Sequence, residues 1–301
     1  MQLAIIGIGR MGKGIALRLK ERGHDIIACN RSPEPLEELK AKGCRTTQEH
    51  NAVAGMLASP RVVWLMLPAG DTTETVFEEV LNTLEPGDTL IDGGNSHYKD
   101  SLWRHTHAAT RDIRFIDAGV SGGLAGACNG YCVMAGGDRD AVARCEPILR
   151  DIAMEGGYLH VGPPGSGHYT KMVHNAIEYA QMQAIGEGLE LLKEGRYKGD
   201  NLDLHAIAKL WNSGSIIRGF LMEVTESALA KDGQLAHIAD YIEDNGEGRW
   251  TVQEALEHNV PFLSATHALY ARYLSRQNES FAFKVVAAQR NEFGGHKIKE
   301  K

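Results

Sequence analysis

The sequence predicts an α/β domain with a parallel-rich, doubly wound sheet, followed by an all-α domain entered through a long helix. A short apolar strand leads at once into a glycine-rich turn. Strand and helix patterns then alternate to residue 161, and only helical patterns follow the Gly-Pro-Pro-Gly break at 162–165. These observations place the two domains at 1–164 and 165–301.

The first strand and the turn after it have the spacing of a dinucleotide-binding loop. Leu3 to Ile6 is an apolar run suited to a buried parallel strand, and the amphipathic segment Lys13 to Arg22 predicts a helix. The glycines between them allow a tight turn, a close approach of a pyrophosphate and close packing of helix on strand. Because the helix N-terminus offers N–H groups to phosphates, this context favours a Rossmann-like domain over a turn without a ligand. The expected cofactor contacts are Gly7, Ile8, Gly9, Arg10, Met11 and Gly12.

The end of the second predicted strand, Asp25 to Cys29, is the position that selects between dinucleotides. An acidic residue there binds the ribose 2′-hydroxyl of NAD, but this chain has Asn30, Arg31 and Ser32 instead. A guanidinium forms bidentate hydrogen bonds with a 2′-phosphate and stacks on adenine, so Arg31 favours NADP, with NAD as the second choice. The alternative is that Arg31 is an ordinary solvated loop residue.

Alternating patterns continue through the first domain and predict a parallel sheet with right-handed crossovers. The further strands are Arg61 to Leu67, Thr89 to Asp92, Arg114 to Ala118 and Tyr158 to Val161, and the further helices are Pro33 to Lys42, Thr72 to Thr83 and Asp138 to Arg150. In the second domain, helical patterns cover 167–195, 203–212, 215–230, 234–242, 251–258 and 262–275.

Three loops at the carboxyl ends of predicted strands are candidate ligand-binding segments, since ligands bind at that end of such sheets. Glycines allow a close backbone approach, and asparagine and serine suit a hydroxylated substrate. The same residue types dominate ordinary turns, but three such loops at one end of a sheet favour binding. The loops cover 66–70, 92–96 and 119–123, with the candidates Leu67, Pro68, Ala69, Asn95, Ser121, Gly122 and Gly123.

The helical segment 165–182 carries its polar residues on one narrow stripe. At about 100° per residue, Lys171, Asn175 and Glu178 align, with Tyr179 beside them. The other faces are apolar, which predicts a buried helix, and a buried charge must have a partner. The stripe is therefore either a structural Lys–Glu network or the lining of a cleft.

The composition, with 301 residues and a net charge of −7, is typical of a globular protein that does not bind nucleic acid or an anionic membrane. No apolar run reaches membrane-spanning length, and because a predicted strand begins at Leu3 we expect no signal peptide. The five cysteines lack the spacing of zinc ligands, so we expect reduced thiols, no metal and a cytoplasmic location.

Together the motifs resemble the decarboxylating 6-phosphogluconate dehydrogenases of the β-hydroxyacid dehydrogenase superfamily. The most specific matches are Gly-Gly-Asn-Ser at 93–96 and the segment 171–179, and the length is similar to that of the short-chain bacterial branch. Further matches are 7–12, 30–32, 120–123, 216–218 and 290–296. The resemblance implies oxidation of 6-phosphogluconate to ribulose 5-phosphate and carbon dioxide, with hydride transfer to NADP or NAD, a step of the pentose phosphate pathway.

The resemblance also implies roles for individual residues. Lys171 resembles the general base that takes the 3-hydroxyl proton, and Glu178 resembles the acid that protonates C1 of the enediol. Burial favours the neutral form of both groups, as these roles require. The groups that resemble those orienting the sugar acid are Asn95, Ser121, Gly122, Gly123, His174 and Asn175. The residues that resemble phosphate ligands are Tyr179 and Arg218. The residues that resemble cofactor contacts are Leu67, Pro68, Ala69 and Asn95. Arg290 and His296 resemble tail residues that reach a neighbouring subunit, which implies a homodimer or homotetramer.

The chain departs from the common family pattern near the phosphate. Asn245 stands where the common form has a phosphate-binding lysine, Glu247 adds negative charge nearby, and Pro68 replaces a lysine in the nicotinamide loop. The alternative function is a dehydrogenase of a smaller β-hydroxyacid such as 3-hydroxyisobutyrate, which would not need the cations Arg218, Arg290 and His296. A regulatory nucleotide-binding protein would not need the Lys–Asn–Glu stripe.

Overall fold

The computed structural model describes residues 1–300 and divides into two compact units, Met1–Asn175 and the segment from Ala176 on. The first unit contains one eight-stranded sheet and its helices, and the regular structure described in the second unit is helical. The predicted fold class is therefore confirmed. The units divide within the long helix that begins at Ser166, whereas the boundary predicted at 164/165 lies just before that helix and stays a prediction.

Eight strands form the sheet of the first unit. They are β1 (Gln2–Ile6), β2 (Asp25–Cys29), β3 (Arg45–Thr47), β4 (Val62–Leu65), β5 (Thr89–Asp92), β6 (Arg114–Ser121), β7 (Tyr131–Gly137) and β8 (Ala153–Gly162). Their order in the sheet is β3-β2-β1-β4-β5-β6-β7-β8. Every neighbouring pair is parallel except β6 and β7, which are antiparallel.

Helices cover both faces of this sheet. They are α1 (Arg10–Glu21), α2 (Glu34–Ala41), α3 (Asp71–Leu81), α4 (Tyr98–Ala109), α5 (Gly126–Asn129) and α6 (Arg139–Ile152). Alternate residues of β1 belong to opposite apolar layers, with Leu3 and Ile5 in the layer of α1, α2 and α6. Ala4 and Ile6 lie in the layer of α3 and α4. Burial on both faces explains why the central strands are almost wholly apolar.

The sequence patterns missed β7, and this changes the third predicted loop. β7 pairs antiparallel with β6 and extends β6 as far as Ser121, which lies opposite Cys132. The prediction of a loop at 119–121 is therefore wrong, because pairing with a distant segment keeps these residues extended. Only Gly122 and Gly123 of that group leave the strand, with φ angles of 128° and 52°.

The long helix and the second unit comprise α7 (Ser166–Glu194), α8 (Leu204–Asn212), α9 (Phe220–Lys231), α10 (Glu247–Glu257), α11 (Leu263–Leu274) and α12 (Phe281–Gly294). The helix predicted at 234–242 is wrong: 234–242 is irregular. The Asp232 carboxylate accepts hydrogen bonds from the backbone N–H groups of Gln234 (3.0 Å) and Ala236 (2.7 Å), and Leu235 has a φ of 50°. These local bonds satisfy the backbone in a turn and compete with a helix. The patterns also missed α4 and α12.

Helix α7 is buried over only part of its length. Met172 and Ala176 are buried, but Ile177 is 48% exposed and Met182 is 44% exposed. The prediction of a helix buried on all faces is therefore wrong, because only its first turns pack against the sheet. Although α7 is the longest helix, no helix among residues 1–300 combines the length and apolarity needed to cross a membrane.

Candidate active site

The glycine-rich turn between β1 and α1 has the shape that a phosphate-binding loop requires. Gly7 has a φ of 97°, which favours glycine, and a Cβ on Gly12 would lie 2.0 Å from the Gly7 carbonyl oxygen. By contrast, no atom lies within 4 Å of the position that a Cβ on Gly9 would take. Gly7 and Gly12 are thus required by the turn itself, and Gly9, the N-cap of α1, leaves open space before the helix N-terminus. These residues fit a dinucleotide pyrophosphate.

Hydrogen bonds hold the segment after β2 in place and leave the charged side chain of Arg31 exposed. The side-chain oxygen of Asn30 accepts a hydrogen bond from the Ile8 N–H (3.0 Å), which ties this segment to the glycine turn. Gln48 donates to the Arg31 carbonyl oxygen (2.8 Å). The Arg31 side chain is exposed, and its guanidinium has no hydrogen bond or ion pair with another described residue. Asn30 therefore shapes the turn, and Arg31 is available to a ligand.

A buried ion network holds the loop after β5. Asp92 accepts a hydrogen bond from the Gly94 N–H (3.0 Å) and pairs with Arg104 of α4 (2.5 Å). Arg104 is fully buried and also pairs with Glu74 of α3. The network leaves Asn95, the predicted ligand-binding residue, exposed at the loop surface. The sequence patterns gave no role to Arg104, because an arginine is usually solvated.

Asp117 of β6 holds the start of α7. Its side chain is fully buried, and its two oxygens accept hydrogen bonds from the N–H groups of Gly165 (2.7 Å) and His168 (2.8 Å). The His168 ring contacts the Ser101 hydroxyl (2.7 Å) through Nδ1. An acidic residue at this point of a strand could have been noticed in the sequence, but its partners are set by the fold.

Four of the predicted site residues form one hydrogen-bonded chain. Lys171 Nζ donates to the side-chain oxygen of Asn175 (2.6 Å), and the same oxygen lies 2.9 Å from His174 Nδ1. His174 Nε2 in turn lies 3.3 Å from the Ser121 hydroxyl. Because an amide oxygen only accepts, His174 Nδ1 carries the hydrogen in this contact. Lys171 and Asn175 are each 6% exposed, so the amine is held in a largely desolvated position.

Glu178 follows on α7, half-buried, and its carboxylate has no hydrogen bond or ion pair among residues 1–300. It is therefore not part of a closed Lys–Glu network. The lining of a cleft therefore stays the prediction for the polar stripe.

Tyr179 is the centre of a second cluster, which lies in the second unit. Its hydroxyl donates to the side-chain oxygen of Asn245 (2.7 Å), and the Arg272 guanidinium lies 3.5 Å from its ring centroid. Burial raises the pKa of the Tyr179 phenol, so the hydroxyl stays a hydrogen-bond donor near neutral pH. Arg272 was missed by the sequence patterns, since nothing in its segment differs from an ordinary helix surface.

The other predicted phosphate ligands have no polar or ring contact with this cluster. Arg218, Arg290 and His296 are exposed and have no hydrogen bond, ion pair or ring contact with Tyr179 or Asn245. No group of three or more His, Cys, Asp or Glu side chains with a metal-binding arrangement occurs within residues 1–300.

Two family models together match almost the whole chain. Residues 2–162 match the NAD binding domain of 6-phosphogluconate dehydrogenase, and residues 167–301 match the 6-phosphogluconate dehydrogenase C-terminal domain.

Named relatives agree with these models. An NAD(+)-dependent, decarboxylating 6-phosphogluconate dehydrogenase of Haloferax volcanii is 39% identical over 100% of this chain and 99% of its own length. An NADP(+)-dependent enzyme of Bacillus subtilis is 37% identical over 92% of this chain but only 62% of its own length. The solved Plasmodium falciparum 6-phosphogluconate dehydrogenase, studied with NADP+ and with 6-phosphogluconate, is 31% identical with a TM-score of 0.83, covering 100% of this chain and 66% of that one. The chain therefore belongs to the 6-phosphogluconate dehydrogenase family.

Proposed function

We propose that this protein catalyses the oxidative decarboxylation of 6-phosphogluconate to ribulose 5-phosphate and carbon dioxide with NADP or NAD. The observation that carries this function is the hydrogen-bonded chain Lys171–Asn175–His174–Ser121. It brings an amine, an amide and an imidazole from the first turns of α7 together with a hydroxyl from the end of β6. Such a set suits a polyhydroxy acid, whose hydroxyl groups each need a donor or acceptor.

In the proposed mechanism, Lys171 acts at the 3-hydroxyl oxygen of the substrate. It would take the hydroxyl proton, and a bound nicotinamide would supply the acceptor for the hydride of the same carbon. Lys171 then donates this proton to the 3-keto oxygen as the β-keto acid loses carbon dioxide. Glu178 protonates the carbon that has lost the carboxylate, while Lys171 takes back the hydroxyl proton of the enediol, which gives the ketone of ribulose 5-phosphate. The two groups are seven residues apart on α7, about 10 Å along its axis, so each acts on a different part of the substrate.

The phosphate is proposed to bind at the Tyr179 cluster. Arg272 supplies the positive charge, and a guanidinium binds phosphate oxygens in a bidentate manner. The side-chain oxygen of Asn245 accepts the hydrogen bond from the Tyr179 hydroxyl. Its amide NH2 group has no hydrogen-bond partner among the described residues, so this group serves as a donor to the phosphate. This arrangement replaces the lysine of the common form. Arg218, Arg290 and His296 remain proposed ligands, the last two from a neighbouring subunit.

NADP is the proposed cofactor, with NAD as the second choice. The support is the exposed guanidinium of Arg31 at the carboxyl end of β2, with no acidic residue in the segment 30–32. The cytoplasmic location also stays a prediction, supported by five unpaired thiols.

The test is an assay of reduced-nicotinamide formation and carbon dioxide release with 6-phosphogluconate, run with each cofactor. Lys171→Met should lower kcat at least about 1,000-fold, because a general base typically supplies 10²–10⁴-fold, while cofactor binding stays unchanged. The matched control is Lys193→Met, which removes an exposed lysine from the same helix and should leave kcat unchanged.

Full turnover by Lys171→Met would reject the mechanism. No turnover by the wild-type protein with either cofactor would reject the substrate and direct the assay to smaller β-hydroxyacids.

A further inference from the structure

We propose that Asp117 is the positioning residue that fixes α7 on β6 and thereby sets the location of the Lys171 amine. This role for Asp117 depends on the role proposed above for Lys171. Asp117 does not belong to the set of groups expected to touch the substrate, and it acts through the backbone of α7.

The first support is the way in which α7 lies along β6. Alternate residues of a strand share one face, and here three of them contact successive turns of the helix. Asp117 accepts the N–H groups of Gly165 and His168, Gly119 lies against Lys171, and Ser121 contacts His174. The face of β6 formed by 117, 119 and 121 thus aligns helix residues 168, 171 and 174. Asp117 is the polar anchor at one end of this face.

The second support is the burial of the Asp117 carboxylate. It is fully buried, and no cation pairs with it among residues 1–300. Its hydrogen-bond donors are the N–H groups at the start of α7, where the helix dipole also favours a negative charge. A shift of α7 would leave a buried carboxylate without donors, which is unfavourable. The carboxylate therefore holds the helix in one place.

The third support is the absence of free space between helix and strand. A Cβ on Gly119 would lie 2.5 Å from the Lys171 Cβ and 2.9 Å from the Gly167 carbonyl oxygen. A Cβ on Gly167 would lie 2.4 Å from the Asp117 carbonyl oxygen. The backbones are in direct contact, so a tilt of the first turn of α7 moves Lys171 rather than being absorbed by side chains.

The experiment compares Asp117→Asn with Asp88→Asn. Asp88 is a matched control because it is also buried and accepts two backbone N–H groups, those of Arg61 (2.6 Å) and Glu85 (2.9 Å). It lies at the start of β5, at the opposite end of the strand from the candidate ligand loop. An asparagine keeps one acceptor oxygen and turns an NH2 group toward the second N–H donor, so both variants lose one bond of this kind. Asp88→Asn also loses the charge that pairs with the Arg61 guanidinium (3.1 Å), so it is the more severe change of the two.

For Asp117→Asn we expect kcat to fall about 10- to 100-fold, because a displacement near 1 Å of a reacting group has effects of this size. The KM for 6-phosphogluconate should change less than kcat, because His174 and Asn175 move with α7 but Asn95, Gly122 and Gly123 do not. The Kd for the cofactor should change less than about threefold, since Asn30 and Gln48, not Asp117, hold the segment that carries Arg31. For Asp88→Asn, Tm should fall and kcat should stay at the wild-type value. A split between kcat and KM separates positioning from a general loss of stability.

The outcomes distinguish failure of this inference from failure of the proposed mechanism. If Lys171→Met is inactive but Asp117→Asn and Asp88→Asn have the same kcat, the role of Asp117 is rejected and the mechanism stands. If Lys171→Met is fully active, both are rejected. If Asp117→Asn does not fold, Gly119→Ala is the second test, because its Cβ would displace Lys171. A lower kcat with unchanged cofactor binding supports the alignment of α7 by β6, and an unchanged kcat overturns it.

Discussion

At the scale of single residues, three buried or half-buried polar side chains shape the ligand-binding end of the sheet through backbone N–H groups. Asn30 binds the N–H of Ile8, Asp92 binds that of Gly94, and Asp117 binds the start of α7. Asn30 and Asp92 lie just beyond or at the end of a strand, whereas Asp117 lies within β6. Each uses a short side chain to fix a segment that contains glycine. These residues therefore decide which backbone groups face a ligand, although they need not touch it.

Arg31 is the residue whose contribution to cofactor choice is most directly testable. Its carbonyl oxygen is held by Gln48 while its guanidinium is exposed, so truncation should not disturb the segment. We expect Arg31→Ala to lower kcat/KM with NADP by about 10- to 100-fold, the size expected for a lost charged hydrogen bond of about 1.5–3 kcal/mol. The value for NAD should stay the same, because NAD lacks the 2′-phosphate.

The measurement is the ratio of kcat/KM for the two cofactors. Arg22→Ala is the control, since Arg22 is an exposed arginine at the C-cap of α1, remote from the carboxyl end of β2. An Arg31→Ala variant with the wild-type ratio would contradict the assignment.

At the scale of elements, α3 and α4 are tied to the end of β5 by one side chain. Arg104 is 0% exposed and pairs with Asp92, which is also 0% exposed, and with Glu74. Breaking a buried pair leaves an uncompensated charge, which is far more costly than losing an exposed pair. The position of the loop that carries Asn95 therefore depends on the buried pair of Arg104 and Asp92.

We expect Arg104→Met to lower the free energy of unfolding by about 3–5 kcal/mol, because the Asp92 carboxylate stays buried without its partner. The matched control is Arg150→Met, which removes the exposed pair of Arg150 with Glu146 and should cost less than about 1 kcal/mol. Urea unfolding of both variants measures the difference. Equal losses of unfolding free energy would show that the burial of Arg104 does not control its contribution to stability.

At the scale of the whole molecule, the last helix of the second unit carries large apolar side chains that are exposed. No residue of α12 is buried, and Phe281 and Phe293 are 79% and 78% exposed. Apolar side chains in this arrangement are typical of a surface that another chain covers. A homo-oligomer in which α12 packs on a second copy agrees with the proposed role of Arg290 and His296.

We therefore expect the wild-type protein to have at least twice the mass of one chain by light scattering. The double variant Phe281→Asp and Phe293→Asp should shift this mass toward that of one chain, because a charge in an apolar interface is unfavourable. Leu159→Asp is the control, since Leu159 is 62% exposed but lies on β8 of the first unit. A wild-type protein with the mass of one chain would contradict the assembly.

The sequence by itself determined the features that depend on local spacing. The turn at 7–12, the alternation of strands and helices, and the stripe of Lys171, Asn175 and Glu178 each follow from short periods along the chain. The roles of Lys171 and Glu178 came from the family resemblance and stay predictions.

The tertiary structure decided the features that depend on partners far apart in the chain. Asp117 meets Gly165 across 48 residues, and Tyr179 meets Asn245 across 66 residues. The extension of β6 to Ser121 depends in the same way on its pairing with β7. The physical reason is that a buried polar group must be satisfied wherever the fold brings it, and the partner that satisfies it is chosen by the topology of the chain rather than by its neighbours in sequence.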